Sequence, residues 1–183
     1  MNEELKVSTQ SENFDIDKVY VYVTTYKKYN EGRLDGEWLC LNDFDNFKDF
    51  YDKCMEIHSD EEDPEFLFAD AMNFPFDEIE LNGDAIFEYV KMDEYDRKRV
   101  KFLVKYMGYD MSKAVSKFED VIFYEGRNLI EVAKELVDEG YYGDIPESII
   151  NYIDYEKIAY DLEVSGEFYE TDDGVFMYVC PTT

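Results

Sequence analysis

Residues Gly126–Gly140 read GRNLIEVAKELVDEG, and the fold of the chain turns on this stretch. Leu129, Val132, Ala133, Leu136 and Val137 recur at three- and four-residue spacing, the period that gathers side chains into one stripe of an α-helix. Asn128 is placed to cap that helix, since its side-chain oxygen can accept from free N–H groups of the first turn. Glu131 stands three residues on, in the capping-box position. Gly140 stands where a left-handed residue closes a helix. Glu131, Glu135, Asp138 and Glu139 recur at the same spacing on another face, with Lys134 as the helix's own cation. Neighbours so spaced lie about 5–6 Å apart at Cβ, and like charges there mildly destabilise a helix. The stretch therefore predicts a helix that buries one face and turns a carboxylate ladder to water. In one helix, that is an ordinary solvated face.

The rest of the chain gives the ladder more weight. Its 183 residues include 45 acidic and 18 basic ones, a net charge of −27. With 17 Tyr, 14 Phe and one Trp it has the aromatic content that disordered acidic segments lack. A ligand made of phosphates needs a basic footprint, so direct nucleic-acid binding is not expected. A basic partner, or a protein that itself binds nucleic acid, is the natural complement. The charge is also uneven. Residues 1–40 carry net −3, residues 41–90 net −14, residues 91–117 net +4 and residues 118–183 net −14. Cys40, Cys54 and Cys180 are odd in number and widely separated, which predicts reduced thiols and a cytoplasmic protein. No apolar run approaches a membrane span, and the N-terminus MNEELKVSTQSENFD lacks the basic and apolar regions of a signal peptide.

In chain order, 1–15 reads as a mobile tail. Lys18–Thr25 alternates Val and Tyr as a strand, Tyr29–Gly32 signals a turn, and Gly36–Leu41 is the next strand with Trp38 as its anchor. Asn42 or Asp43 is expected to cap a helix Phe44–His58 with Phe47, Phe50, Tyr51, Cys54 and Met55 buried. Asp45, Asp49, Asp52 and Glu56 form a second carboxylate ladder on it. Ser59–Glu65 is an acidic loop. Phe66–Phe68 reads as a strand interrupted at Pro75, and Leu81–Gly83 as a boundary. Helices follow after Asp84 and Asp93, the second ending at Gly108 with Val100, Leu103, Val104 and Met107 as its stripe, then a short piece at Ser112–Phe118. This part holds the basic cluster Arg97, Lys98, Arg99, Lys101 and Lys105. Val121–Tyr124 is a strand leading into the first helix described. Pro146 opens another helix to Ile153, and Asp154 caps Tyr155–Leu162. Val164–Glu170 and Val175–Val179 read as strands joined by a hairpin at Thr171–Gly174. The expected class is α+β, with mixed antiparallel sheets and short helices. The expected divisions are an N-terminal α+β domain 16–82, a central helical domain 83–119 and a C-terminal α+β domain 120–183.

Chemistry is sparse. His58 is the only histidine and has no triad partner; a helix-end or surface role is expected of it. There is no HExxH, phosphate-binding loop or dinucleotide fingerprint. The acidic turns Asp60–Asp63 and Asp172–Gly174 do not follow the ligand order of a calcium-binding EF-hand. Carboxylate pairs abound, so composition leaves a glycosidase-like dyad open, although with 45 acids no one pair is informative, and no designed metal site is expected. Duplex DNA carries one charge per ~1.7 Å of axis, so 27 charges would match ~46 Å of duplex. A folded scaffold holding carboxylates at helical spacing could enter a basic DNA channel and compete for phosphate contacts.

These residues resemble a family. Tyr29-Asn30-Glu31-Gly32 with Leu34, Gly36 and Trp38 is similar to the YNEG-x-L-x-G-x-W start of the ArdA antirestriction proteins. Asn73–Phe76 resembles their aromatic-Pro-Phe segment. Asn151–Tyr155, Ala159, Asp161-Leu162, Gly166 and Phe168 resemble their ending, and Gly126–Glu139 their antirestriction motif. The resemblance spans about 18–180. It implies an elongated mimic of B-form DNA in three small domains, dimerising through the C-terminal one. Such a protein blocks the DNA site of type I restriction-modification enzymes and so protects an incoming mobile genetic element. The expected contact residues for that partner are Glu131, Glu135, Asp138, Glu139, Asp45, Asp49, Asp52 and Glu56. The apolar strand Phe118–Tyr124, through Phe118, Val121, Ile122 and Phe123, is expected to contribute to a homodimer. The alternative is an acidic interaction or chaperone protein for basic nucleic-acid-binding partners.

Overall fold

The computed structural model of the chain describes residues 14–33, 35–74, 81 and 83–178. Leu34, Pro75, Phe76, Asn82, Cys180 and most of the expected N-terminal tail lie outside the described residues. The chain forms two compact units, Met1–Arg97 with Asp110–Val115, and Lys98–Tyr109 with Ser116–Thr183. Residues 83–119 are shared between them. Each unit carries an antiparallel three-stranded sheet with helices, so the class is α+β as expected.

In the first unit, β1 (Tyr20–Thr25) lies between β2 (Glu37–Cys40) and β3 (Phe66–Met72). Val21, Val23, Thr24 and Thr25 are fully buried, as a central strand covered on both faces requires. Trp38 stands opposite Tyr22 across the β1–β2 ladder. Gly36, just before β2, is there for space: a Cβ would lie 2.3 Å from the Val23 carbonyl oxygen and 2.9 Å from the Tyr22 ring. The short helix α1 (Tyr26–Asn30) follows β1 directly, because Thr25 Oγ1 accepts from Lys28 N and caps it. The expected turn is thus confined to Glu31-Gly32. Helix α2 (Phe47–Ile57) starts three residues later than expected, at the Asn46 cap. Asn42 is occupied elsewhere: it accepts from Val19 N at 3.0 Å and donates to the Val90 carbonyl at 2.8 Å. It therefore sits in a 3₁₀ turn, Leu41–Asp43, rather than capping α2. Phe50 and Cys54 are the buried residues of α2, whereas Tyr51 and Met55 are exposed and Phe47 is half-buried. Phe50 packs 5.7 Å from Phe87 of α3 (Ala85–Tyr89) and 5.8 Å from Phe68 of β3. Burial pushes the Cys54 thiol up to about 12, as for an inert core cysteine.

Helices α4 (Glu94–Met107) and α5 (Met111–Lys117) contribute to both units. The second unit is built on β4 (Val121–Glu125), β5 (Phe168–Thr171) and β6 (Gly174–Tyr178), in the order β4-β6-β5. The hairpin at Thr171–Gly174 is present. Helices α6 (Leu129–Asp138) and α8 (Tyr155–Ser165) form a core with Phe168 and Val175. The next residue along β6, Phe176, lies between two parallel rings, Phe123 of β4 at 4.2 Å and Phe102 of α4 at 4.7 Å. Phe102 was outside the expected stripe of α4 and is buried by this stack. Helix α8 runs past Leu162 to Ser165 and ends at left-handed Gly166, φ 75°, so Val164 is helical and not in a strand. Helix α7 (Glu147–Ile150) is shorter than expected.

Candidate protein-binding surface

The first acidic face is carried by α6, and its backbone is tied down at both ends. Asn128 Oδ1 accepts from Glu131 N and Glu131 Oε2 accepts from Asn128 N, each at 3.0 Å, closing the capping box. Glu170 of β5 accepts from Leu129 N at 3.0 Å, putting a further carboxylate at the positive end of the helix. At the other end Tyr141 N donates to Leu136 O at 2.9 Å and Gly140 N to Val137 O at 3.1 Å, the Schellman closure that left-handed Gly140 permits. All of Leu129, Val132, Ala133, Leu136 and Val137 are buried.

The four carboxylates of this face differ. Glu131, Asp138 and Glu139 are exposed, and Glu131 is engaged by the cap. Glu135 is half-buried rather than exposed, and the Arg127 guanidinium contacts it. Arg127, ahead of the helix, is the cation at Glu135, while Lys134 Nζ lies 5.9 Å from the Tyr155 ring centroid. Asp138 and Glu139 stand at the negative end of the helix, whose last turn has no basic residue. Carboxylates there work against the helix dipole.

The second face is on α2. Asp49, Asp52 and Glu56 are exposed along it. Lys48 pairs with Asp52, and Lys53 with Glu56 at 3.0 Å. Asp45 is not on the helix, because the cap is Asn46. Its carboxylate takes Lys91 Nζ at 2.6 Å, and this hydrogen-bonded ion pair holds it below the usual Asp value. Asp84 also has a different partner from the one its place before α3 suggests. It accepts from Phe47 N at 2.7 Å, so it supports the start of α2.

The loop that follows α2 is anchored by a buried polar cluster. Lys28 is 4 % exposed and His58, which closes α2, is 1 % exposed. Lys28 Nζ lies 2.9 Å from His58 Nδ1, 2.7 Å from Asp60 Oδ1 and 3.7 Å from Glu61 Oε1. Thr25 donates to Glu61 at 2.7 Å. His58 is at a helix end as expected, but in the interior. Burial, and then the Lys28 charge, hold its pKa below the ordinary value. The Lys28 hydrogen bond lowers that of Asp60.

Further carboxylates went unrecognised in the sequence. Glu156, Asp161 and Glu163 are exposed on α8, which again has no basic residue in its last turn. The signal was the helical spacing of Glu156 and Glu163, obscured by ending the helix at Leu162. The basic segment is partly spent on acids within each unit: Lys91 on Asp45, Lys98 on Glu125 at 2.5 Å and Lys117 on Asp120 at 3.2 Å. Arg99 donates to the Val121 carbonyl at 3.1 Å and lies 4.9 Å over the Phe118 ring. Among the expected dimer residues, Val121 and Phe123 are buried within the unit, Phe118 is half-buried and Ile122 is 43 % exposed. β4 is an edge strand of the sheet. Among the described residues no cluster of His, Cys, Asp and Glu is arranged to hold a metal ion, and no helix is long and apolar enough to cross a membrane.

Comparison with protein-family models matches residues 21–177 to the family described as Antirestriction protein (ArdA). Comparison with curated protein sequences finds no match.

Proposed function

The chain belongs to the ArdA antirestriction protein family, and from that premise we propose that it mimics B-form DNA and fills the DNA-binding site of a type I restriction-modification enzyme. The observation that carries this reading is the exposed carboxylate on rigid helices. Asp49, Asp52 and Glu56 on α2, Glu131 and Asp138 on α6 with Glu139 at its C-cap, and Glu156, Asp161 and Glu163 on α8 are all exposed. Regularly spaced anions on a folded scaffold compete for phosphate contacts and offer no base edges to read. In this reading the protein works in the cytoplasm, catalyses nothing, carries no cofactor and binds no nucleic acid itself. It acts as a homodimer to which the β4 edge and Ile122 contribute.

The test is titration into a type I enzyme holding labelled duplex. The protein should displace the DNA stoichiometrically, and displacement should weaken steeply as salt rises. Labelled DNA that stays bound at every ratio in low salt would sink the reading.

A further inference from the structure

The first unit contains a cleft of about 430 Å³ that a string of carboxylates does not require. Its walls are rings: Phe14, Tyr20, Trp38 and Phe44, all half-buried. The rings hold one another in place. Phe14 lies 4.7 Å from Tyr20 and 5.2 Å from Trp38, edge to face in both pairs, and Tyr22 backs Trp38 at 5.5 Å. Glu37 and Asp43 also line the cleft, and both are exposed. Lys53 is the cation of the lining, and its ammonium is 3.0 Å from Glu56. A cleft of this volume is within the size range of ligand sites, and aromatic faces beside carboxylates suit a cation.

We propose that this cleft receives an arginine side chain of the basic partner, its guanidinium against the Trp38 and Phe14 rings and paired with Glu37 or Asp43. The proposal rests on the partner being the DNA-binding enzyme inferred above. A guanidinium fits better than an ammonium because it is flat, stacks on rings, is weakly hydrated and donates in a fork to a carboxylate. Charge complementarity selects the occupant, since a chain of net −27 draws cations and repels anions. DNA has no equivalent of this feature. It would add one directional contact to an otherwise diffuse polyanion.

Trp38 is the single tryptophan, so its emission reports the cleft directly. The probe is Nα-acetyl-arginine amide at constant ionic strength, with Nα-acetyl-citrulline amide as its uncharged isostere. Saturable change of Trp38 emission is expected with the arginine amide, with roughly tenfold weaker binding of the citrulline amide. The double variant Glu37→Gln/Asp43→Asn, changed only at exposed positions, should lose that discrimination. No saturable response, an equal response to citrulline, or discrimination that survives in the double variant overturns the site, whatever the enzyme does. The second arm is the DNA-displacement titration with Trp38→Leu and with the double variant, each checked for folding by circular dichroism. Both should need several-fold more protein than the parent. If either folded variant displaces DNA as well as the parent, the cleft does not engage the partner. If the parent itself fails to displace DNA, the mimicry reading falls and the amide titration still decides the site.

Discussion

Lys28→Met should be among the most destabilising single changes in the first unit, although it removes one positive charge from a chain with 27 more negative than positive groups. Methionine keeps most of the aliphatic stem and deletes the ammonium. His58 Nδ1, in a residue 1 % exposed, then loses the donor 2.9 Å away. A buried acceptor left without its donor costs about 1–3 kcal/mol. Glu61, whose side chain is 7 % exposed, loses the cation at 3.7 Å but keeps the Thr25 hydroxyl at 2.7 Å. Removing one partner of a buried pair costs about 3–5 kcal/mol, and the retained hydroxyl places this case at the low end. Asp60 is open to water and is rehydrated. The expected total is about 4 kcal/mol. For a chain of this length that lowers the melting temperature by roughly 8–16 °C. Thermal unfolding followed by Trp38 emission reads the first unit, and far-ultraviolet circular dichroism reads the whole chain. Lys48→Met is the control, since that cation is exposed and paired along α2 with Asp52; it should leave the melt unchanged. If Lys28→Met melts within about 1 °C of the parent, the cluster is not structural and the reasoning fails.

The same cluster gives the first unit an acid limit. His58 is held below its ordinary 6.5, so its stabilising contribution is complete above that value and is lost as pH falls through its lower value in the folded chain. The unfolding free energy of the parent should fall with pH, relative to His58→Asn, by at most about 1.4 kcal/mol per unit in that window; parallel curves would refute it. Gly36→Ala should cost roughly 2 kcal/mol or more in the first unit, because the added carbon meets the Val23 carbonyl at 2.3 Å, and a Trp38-monitored melt equal to the parent's would contradict the crowding. The quadruple variant Glu131→Gln/Glu135→Gln/Asp138→Asn/Glu139→Gln should stay folded, since glutamine can keep the capping box. Its displacement of DNA should have a shallower salt dependence, by at most about one unit of slope per lost contact. Unchanged inhibition by the folded variant would make this face a solvated surface, with the α2 residues Asp49, Asp52 and Glu56 as the comparison face.

What was legible in the sequence was local. The caps of α6 could be read from Asn128, Glu131 and Gly140 because each acts within one turn of its own helix. The cap of α2 could not. Asn42 and Asn46 look alike in sequence, and the difference lies in Val19 and Val90, which occupy Asn42 from distant parts of the chain. Lys28 and His58 are 30 residues apart, and nothing near either one signals a shared interior. Phe102 was missed for a related reason. Helical spacing names a stripe, but the Phe123–Phe176–Phe102 stack extends the buried face beyond it. Tyr51 and Met55 err the other way: both fit the period of α2, yet both are exposed. Of the candidate contact residues, spacing alone placed all on their helices but Asp45 and Glu139, the latter being the C-cap of α6. It could not show that Glu131 serves a cap or that Arg127 holds Glu135.

The acids therefore divide by what they do for the fold. Asp84 and Glu170 accept from the first backbone N–H of α2 and α6, Asp93, Asp110 and Asp154 cap their own helices, and Asp45, Asp120 and Glu125 take cations from the central segment. Others oppose it. Asp138 and Glu139 end α6, and Glu163 lies in the last turn of α8, at helix termini with no basic residue to offset them. A requirement for solubility alone would be met by acids in first turns, where the dipole favours them. Acids placed against the dipole make sense if their counter-charges arrive from outside. A basic partner that binds the folded chain would then stabilise it by mass action and supply the cations these helix ends lack. Such coupling would connect the unfavourable local electrostatics of α6 and α8 to recognition.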